Sequence, residues 1–384
     1  MLKIVTIIGA RPQIIKAAAL SRSIRERFSD QISEVIVHTG QHYDENMSNV
    51  FFSEMNIPAP NHQLDVRSGS HGKQTAAMIA GIEEILIHEK PDALVVYGDT
   101  NSTLAGAVAA SKMHIPVVHI EAGLRSFNKQ MPEEINRILC DHVSTLLFTP
   151  TDSGMKNLLN EGFKAEHPKG TKIDADHPQI YHSGDVMYDN SLYFAELAES
   201  KNILKNLELS KGDFLLATIH RDYNTDHKDR LSAIFAALDK IARSENKAIV
   251  LPLHPRTAKL LDTNLHAEVL NAVRSNPLLK IIPPVSFLEM IALEKHASMI
   301  LTDSGGVQKE AFFFQRPCII LRSETEWVEL VENGNAIITD ADTERILKAY
   351  NHFKEHTKLA FPTFYGDGRA ADFICGEMIR HFAK

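Results

Sequence analysis

Residues 93–123 read ALVVYGDTNSTLAGAVAASKMHIPVVHIEAG. An apolar run, Ala93–Tyr97, breaks at Gly98-Asp99, passes into a small-residue helical stretch over Leu104–Lys112, and returns as a second apolar run, Val117–Ile120. Neither run alternates apolar and polar residues, which marks strands covered on both faces. Two such strands joined by a helix make a parallel βαβ unit. Ligands of parallel sheets bind beyond the carboxyl ends of the strands. Here those ends carry Asp99 and, in His119-Ile120-Glu121-Ala122-Gly123, Glu121. If the two strands are neighbours, these carboxylates stand about 5–10 Å apart.

The same rhythm extends in both directions. Strands are expected at Ile4–Ile8, Glu34–His38 and Thr145–Phe148 in the first half. In the second they are expected at Phe214–Ile219, Ala248–Leu251, Lys280–Ile282, Ser298–Thr302 and Cys318–Leu321, with helical stretches such as Arg230–Arg243 between. At 384 residues the chain is long for one domain. The expected fold is α/β: two Rossmann-like, doubly wound domains with the active site in the cleft between them. The first domain spans 1–175 and the second 183–369. Lys164–His182 lacks apolar periodicity and reads as an exposed loop at the junction; Ala370–His381 is helical by pattern.

Composition narrows the function. Hydrophobic residues make up 44% and charged residues 23%, with a net charge of −8 and no basic block, which argues against nucleic-acid and anionic-membrane partners. No apolar stretch reaches the roughly 18 residues of a membrane span, and the N-terminus lacks a signal-peptide pattern. The three cysteines, Cys140, Cys318 and Cys375, are widely spaced and suit a reducing, cytoplasmic setting without disulfides or a zinc site.

Other predicted strand ends also carry chemistry. The first ends in Gly9-Ala10-Arg11-Pro12-Gln13, with Lys16 in the helix beyond. Pro132-Glu133-Glu134-Ile135-Asn136-Arg137 opens another helix. In the second half, ends read Ile219-His220-Arg221, Leu253-His254-Pro255-Arg256 and Thr302-Asp303-Ser304-Gly305-Gly306, the last entering a helix that contains Gln308 and Glu310. A Ser-Gly-Gly turn at a helix start offers free amides and the positive dipole end, a cradle for a diphosphate. Glu310 lies further along the same helix, where it could reach a ribose. Each feature has a plainer alternative. Asp99 could be an N-cap; Glu133, Glu134 and Arg137 could be a helix-start ion pair; His220 and His254 could be structural; and Asp185 reads as a turn residue.

The turn after the first strand lacks Gly-x-Gly-x-x-Gly, so bound NAD is not expected. Phosphate-loop, His-Glu-x-x-His metal and Gly-x-Ser-x-Gly patterns are absent too, so neither cofactor nor metal is expected. A diphosphate cradle facing clustered carboxylates suits a nucleotide sugar, with crowding raising the pKa of at least one carboxyl so that donor and acceptor coexist.

Taken together, Gly9-Ala10-Arg11-Pro12 with Lys16, Thr39-Gly40-Gln41-His42, Gly98-Asp99-Thr100, His119 to Arg125, Pro132-Glu133-Glu134 with Asn136-Arg137, His220-Arg221, and Thr302 to Gly306 with Gln308 and Glu310 resemble the non-hydrolysing UDP-N-acetylglucosamine 2-epimerases. The resemblance runs across nearly the whole chain. It implies a GT-B-like fold with the last helix (370–384) packing back on the first domain, and a homodimer. It also implies a cofactor-free reaction in which UDP is eliminated to a 2-acetamidoglucal and added back with carbon 2 inverted. By the same resemblance Asp99, Glu121, Glu133 and His220 are catalytic, and Arg11, Lys16, Arg137, His254, Ser304, Gly305, Gly306 and Glu310 bind the UDP-sugar. The sequence departs from the usual pattern at Ala10 and Gln13, at Asp222-Tyr223-Asn224 and at Trp327-Val328-Glu329, and there resembles the branch acting on UDP-2,3-diacetamido-2,3-dideoxyglucuronate. Gln41-His42 is kept where the family's allosteric UDP-sugar site would lie, but Tyr43-Asp44-Glu45 is unlike its pattern. A hydrolysing relative, a glycosyltransferase of the same fold and a nucleotide-sugar binding module are the competing readings.

Overall fold

The computed structural model describes residues 1–40, 57–66, 69–253 and 255–383, without the side chains of Arg11, Pro255 and Arg256. Gln41–Glu45 and His254 therefore lie outside the described residues, as does the side chain of Arg11. The chain divides into two compact units, Met1–Asn190 with Thr363–Lys384, and Ser191–Pro362.

The first unit is built on a sheet of seven strands: β1 (Leu2–Ile8), β2 (Ile32–His38), β3 (His62–Gln63), β4 (Ala93–Tyr97), β5 (Val117–Ile120), β6 (Leu146–Thr149) and β7 (Gln179–His182). Their spatial order is β3-β2-β1-β4-β5-β6-β7 and every pairing is parallel. The chain winds outward one way from β1 to β3, then returns past β1 to build the other way from β4. The β1–β4 junction is thus the point where strand order reverses, the crevice where doubly wound sheets bind ligands. The second unit repeats the plan with β8 (Phe214–Thr218), β9 (Ala248–Pro252), β10 (Leu279–Ile282), β11 (Met299–Thr302), β12 (Cys318–Ile320) and β13 (Ala336–Ile338). Its order is β10-β9-β8-β11-β12-β13, again all parallel, with the reversal between β8 and β11.

Both sheets are covered on two faces, so β4 and β8 are buried at every residue. In the first unit the helix Asn101–Lys112 packs close because its inner face is small: Ala105, Gly106, Ala107, Ala109 and Ala110 are buried. A Cβ on Gly106 would come within 3.0 Å of Val96 and 3.1 Å of Ile7. The helix Ala370–Phe382 belongs to this unit too. Asp189 accepts from its first amides, Ala370 at 3.1 Å and Ala371 at 2.8 Å, and Ser23 of the helix Arg11–Arg27 donates to Asp372 at 2.8 Å. In the second unit, Leu231, Ile234, Phe235, Leu238 and Ile241 of the helix Lys228–Glu245 form the core with Leu215, Ile249 and Leu301 from the sheet.

One segment departs from expectation. Lys164–His182, expected as loop throughout, ends in β7, which extends the first sheet beside β6. Four residues with polar ends at a sheet edge carry too little apolar signal to be read as a strand.

The tip of β1 tolerates no added atom. A Cβ on Gly9 would lie 2.1 Å from both Ser102 Oγ and Thr39 Oγ1, and those hydroxyls are 2.8 Å apart. Gly9→Ala should therefore lower stability by about 1–3 kcal/mol. Gly376→Ala, whose added Cβ would meet nothing within 4 Å in the last helix, should raise it by about 0.4–1 kcal/mol. Urea midpoints of the two variants check this; a Gly9→Ala protein as stable as wild type would contradict the packing described.

Candidate active site

At the reversal point of the first sheet, one amide holds two strand tips together. Gln13 Oε1 accepts from the backbone amides of Gly9 (2.9 Å) and Ala10 (3.1 Å), while its Nε2 donates to Tyr97 O (3.1 Å) and Thr103 Oγ1 (2.9 Å). The job needs a donor and an acceptor on one buried side chain, which an ionised glutamate cannot supply.

Two strands over, the carboxylates are arranged around cations. The β4–β5 pairing sets Tyr97 opposite Ile120, so Gly98-Asp99 and Glu121 leave the sheet side by side. Lys16 Nζ meets Glu121 Oε1 at 2.5 Å, with both side chains nearly buried. Both atoms lie over Gly98, where a Cβ would come within 3.1 Å of Lys16 Nζ and 3.3 Å of Glu121 Oε1. Glu121 itself sits in the left-handed region at φ 70°, a conformation costing a non-glycine residue of order 1–3 kcal/mol that tends to occur at functional sites. Asp99 is not an N-cap. Thr100 caps the helix Asn101–Lys112 by accepting from Thr103 N, which leaves the Asp99 carboxyl to pair with Arg137 Nη2 at 2.5 Å. Desolvation raises the Asp99 pKa above the usual aspartate value, against the pull of Arg137 and Lys16 and with the help of Glu121. Its carbonyl accepts from Asn136 Nδ2 at 2.8 Å, tying this turn to the helix Pro132–Val143.

That helix separates its two glutamates. Glu133 is exposed at the helix start, whereas Glu134 is 1% exposed. Glu134 accepts from Ser126 N (2.9 Å), Ser126 Oγ (3.0 Å), Phe127 N (3.0 Å) and Arg137 Nη1 (3.0 Å). Burial opposes its charge, but these donors win and hold its carboxyl below the ordinary range. The helix-start ion-pair reading therefore describes Glu134 with Arg137, and not Glu133.

In the second unit the organising group is Asp303, fully buried at the end of β11. It accepts from the amides of His220 and Arg221 and from Asn224 Nδ2, all at 3.1 Å, and meets His220 Nδ1 at 3.0 Å. Burial alone would raise its pKa, yet His220 and these amide donors hold it below the usual range. The contact with the Asp303 carboxylate makes Nδ1 a protonated nitrogen of the half-exposed His220 ring and fixes the ring's orientation. Ser304 caps the helix Gly305–Phe313 through Val307 N, and Trp327 Nε1 donates to Gly305 O at 2.9 Å. The protein's own packing does not require glycine here: a Cβ would meet nothing closer than 3.5 Å at Gly305 or 3.9 Å at Gly306. Amides at a helix start that carry no side chain of their own suit an anion laid against it, with Arg322 and Glu326 flanking Gly305. Glu310 is buried further along, beside buried Glu294, whose carboxyl is held well above its ordinary pKa by burial and by Glu310.

Among the described residues no group of three or more His, Cys, Asp or Glu side chains could hold a metal ion, and no helix is long and apolar enough to cross a membrane. Residues 25–379 match the family described as UDP-N-acetylglucosamine 2-epimerase. The chain belongs to that family. It is 48% identical over 374 residues to the UDP-2,3-diacetamido-2,3-dideoxy-D-glucuronate 2-epimerase of Pseudomonas aeruginosa, covering 97% of this chain and 98% of the relative. It is likewise 48% identical over 372 residues to a UDP-N-acetylglucosamine 2-epimerase homolog of Methanococcus maripaludis, covering 96% and 97%. Among solved structures, the UDP-GlcNAc 2-epimerase of Methanocaldococcus jannaschii in complex with UDP-GlcNAc and UDP superposes with a TM-score of 0.82 at 40% identity, covering 99% of this chain and 100% of that one.

Within this member of the 2-epimerase family, sequence reading gave no individual role to Gln13, Asn136, Asn224, Asp303 or Trp327. Their distant partners, such as Thr103 for Gln13 at 90 residues and Leu321 for Asn224 at 97, become visible only in the fold.

Asp303 offers a pH test. Because its folded pKa is lowered, its contribution to stability is present above the unfolded aspartate value of about 3.9 and is lost as pH falls through the folded value. Asp303→Asn should cost about 1–3 kcal/mol at pH 7, and the deficit should shrink as the pH is lowered below about 4. Urea unfolding of both proteins across that range checks it; a deficit independent of pH would contradict the assignment.

Proposed function

We propose that this chain is a cofactor-independent, non-hydrolysing 2-epimerase of a UDP-linked 2-acetamido sugar. The observation that carries the reading is the pair of shielded carboxyls at one sheet edge, Asp99 on Arg137 and Glu121 on Lys16, in a member of the UDP-N-acetylglucosamine 2-epimerase family.

Carbon 2 of such a sugar has no adjacent ring carbonyl, so its proton is not acidic enough for direct exchange near neutral pH. Elimination avoids the difficulty. A carboxylate takes the C2 proton, the C–H electrons become the C1–C2 double bond, and the C1–O bond breaks with its electron pair passing to the β-phosphate. In the return step the phosphate oxygen attacks C1 and an acid delivers a proton to the opposite face of C2. Two groups in opposite protonation states are needed. Asp99, with its raised pKa, suits the donor, and Glu121, paired with Lys16, suits the acceptor. Glu133 completes the set from its exposed helix start.

Negative charge grows on departing UDP. Ser304, Gly305 and Gly306 would receive the diphosphate with their amides, and His220, oriented by Asp303, would add a donor beside it. In the same reading Arg11, Lys16 and Arg137 balance charge around the sugar and leaving group, His254 contacts the substrate, and Glu310 engages the ribose. Retention of UDP through both steps is what separates this reading from a hydrolase or a glycosyltransferase. The relative named for the diacetamido-glucuronate sugar, with the departures at Gln13 and Trp327, supports a substrate of that branch beside UDP-N-acetylglucosamine itself. A cytoplasmic homodimer, with Cys140, Cys318 and Cys375 as buried free thiols, belongs to the same reading.

Incubation of each UDP-sugar in D2O, followed by NMR, tests the proposal. The expected outcome is deuterium at C2 in both gluco and manno forms with UDP still attached; accumulation of UDP and free sugar would overturn it in favour of hydrolysis. Asp99→Asn and Glu121→Gln should bind UDP normally while losing at least about 100-fold in kcat. Near-normal turnover in both would refute the acid/base assignment.

A further inference from the structure

A fully buried histidine lies two residues before Glu121 and takes no part in the chemistry above. His119 is on β5, and its Nε2 is 2.8 Å from the carbonyl oxygen of Gly98, the residue before Asp99. A carbonyl only accepts, so Nε2 bears a proton. Its Nδ1 is 2.7 Å from Asp141 Oδ1. The other oxygen of Asp141 accepts from Gly123 N at 3.2 Å and pairs with Arg125 Nη1 at 2.8 Å. A carboxyl facing an arginine and accepting an amide bond is ionised, so Nδ1 also bears a proton. With both ring nitrogens donating, the ring is an imidazolium. The chain of alternating charge continues as Arg125 forks onto Glu161 with two bonds of 2.7 Å.

The two contacts fall on the two turns that matter. Gly98 opens the Asp99 turn at φ 62°; Gly123 closes the Glu121 turn at φ 77°, where a Cβ would lie 2.5 Å from Gly154 O. A neutral imidazole has a single N–H and would have to release one of them. We infer that His119, Asp141 and Arg125 form a positioning device, with His119 permanently charged, that clamps the Asp99 and Glu121 turns to one another from beneath the sheet edge. The inference rests on the reading of Asp99 and Glu121 as the acid/base pair. The electrostatics agree: burial alone would neutralise the ring, yet Asp141 and the neighbouring Cys140 raise its pKa well above the ordinary histidine value, and His119 with Arg125 holds Asp141 low. Cys140, Asp141 and Arg125 are the titratable groups around the ring, with Glu161 and His142 beyond Arg125.

Full-length protein labelled with 15N-histidine gives the first readout. One histidine, assigned as His119 by its loss in His119→Gln, should show two protonated ring nitrogens across about pH 5.5–9, well past the usual pKa of about 6.5. A singly protonated His119 ring at pH 7.5 would overturn the inference. Asp141→Asn removes the charge at constant size. We expect kcat to fall about 10–100-fold at pH 8 with KM and UDP affinity within about threefold. Without that carboxylate the buried ring should carry a single proton at pH 7.5 in the same 15N spectrum. A purely structural role would not join the loss of kcat at constant KM to the loss of that proton, and unchanged kcat would overturn the positioning claim. If Asp141→Asn does not fold, Arg125→Lys is the second variant: a kcat loss of about 3–10-fold at unchanged KM supports the device, and unchanged kcat overturns it. Failure of the underlying reading looks different, because Asp99→Asn and Glu121→Gln would then stay active whatever the state of His119.

Discussion

Two ion pairs at one sheet edge, Lys16 with Glu121 and Arg137 with Asp99, are the interaction on which the proposed chemistry depends. A carboxylate withdrawn from water without a partner costs several kcal/mol and takes up a proton instead. Each cation therefore offsets part of the desolvation of the carboxyl it pairs with. The cations arrive from different directions, Lys16 from the helix after β1 and Arg137 from the helix after β5. Bringing them together requires the β1–β4–β5 adjacency that the doubly wound topology creates. The strained φ of Glu121, the bare Gly9 and Gly98, and the Gln13 bridge are local concessions to that convergence.

The second unit solves a different problem with the same topology. At its reversal point a single buried carboxylate, Asp303, organises the loop after β8 by receiving its amides and fixing the orientation of the His220 ring. Next to it, the Ser304-capped helix presents glycines that the surrounding protein does not require. One sheet edge gathers carboxyls paired with cations and the other a helix start with free amides; in the proposed reaction the first set moves protons and the second receives an anion. An elimination that moves a proton at one carbon while a diphosphate leaves its neighbour calls for both.

Much of this architecture could be read from the chain, because parallel strands buried on both faces declare themselves as unbroken apolar runs. The reading weakened where tertiary partners decide the outcome. Asp99 and Thr100 are both competent N-caps, and only the structure shows Thr100 taking that place. Glu133 and Glu134 are indistinguishable in sequence, yet one is exposed and the other buried among four donors. His119 and Asp141 lie 22 residues apart with no periodic signal joining them. Short edge strands such as β3, β7 and β13 carry too few apolar residues to stand out from loop. Strand ends were legible as candidate positions, whereas the hydrogen bonds that assign each its role were not.

The central claim is that the fold holds Asp99 as a poised acid at the edge of the first sheet, and the most direct measurement is the titration of that carboxyl. Aspartate labelled with 13C at the side-chain carboxyl, with Asp99→Asn to assign the resonance, gives its midpoint in the intact protein. The account predicts a midpoint clearly above the ordinary aspartate value of about 3.9. A midpoint at or below that value would mean that the pairing with Arg137 outweighs desolvation, and Asp99 would then lack the proton the reaction asks it to give.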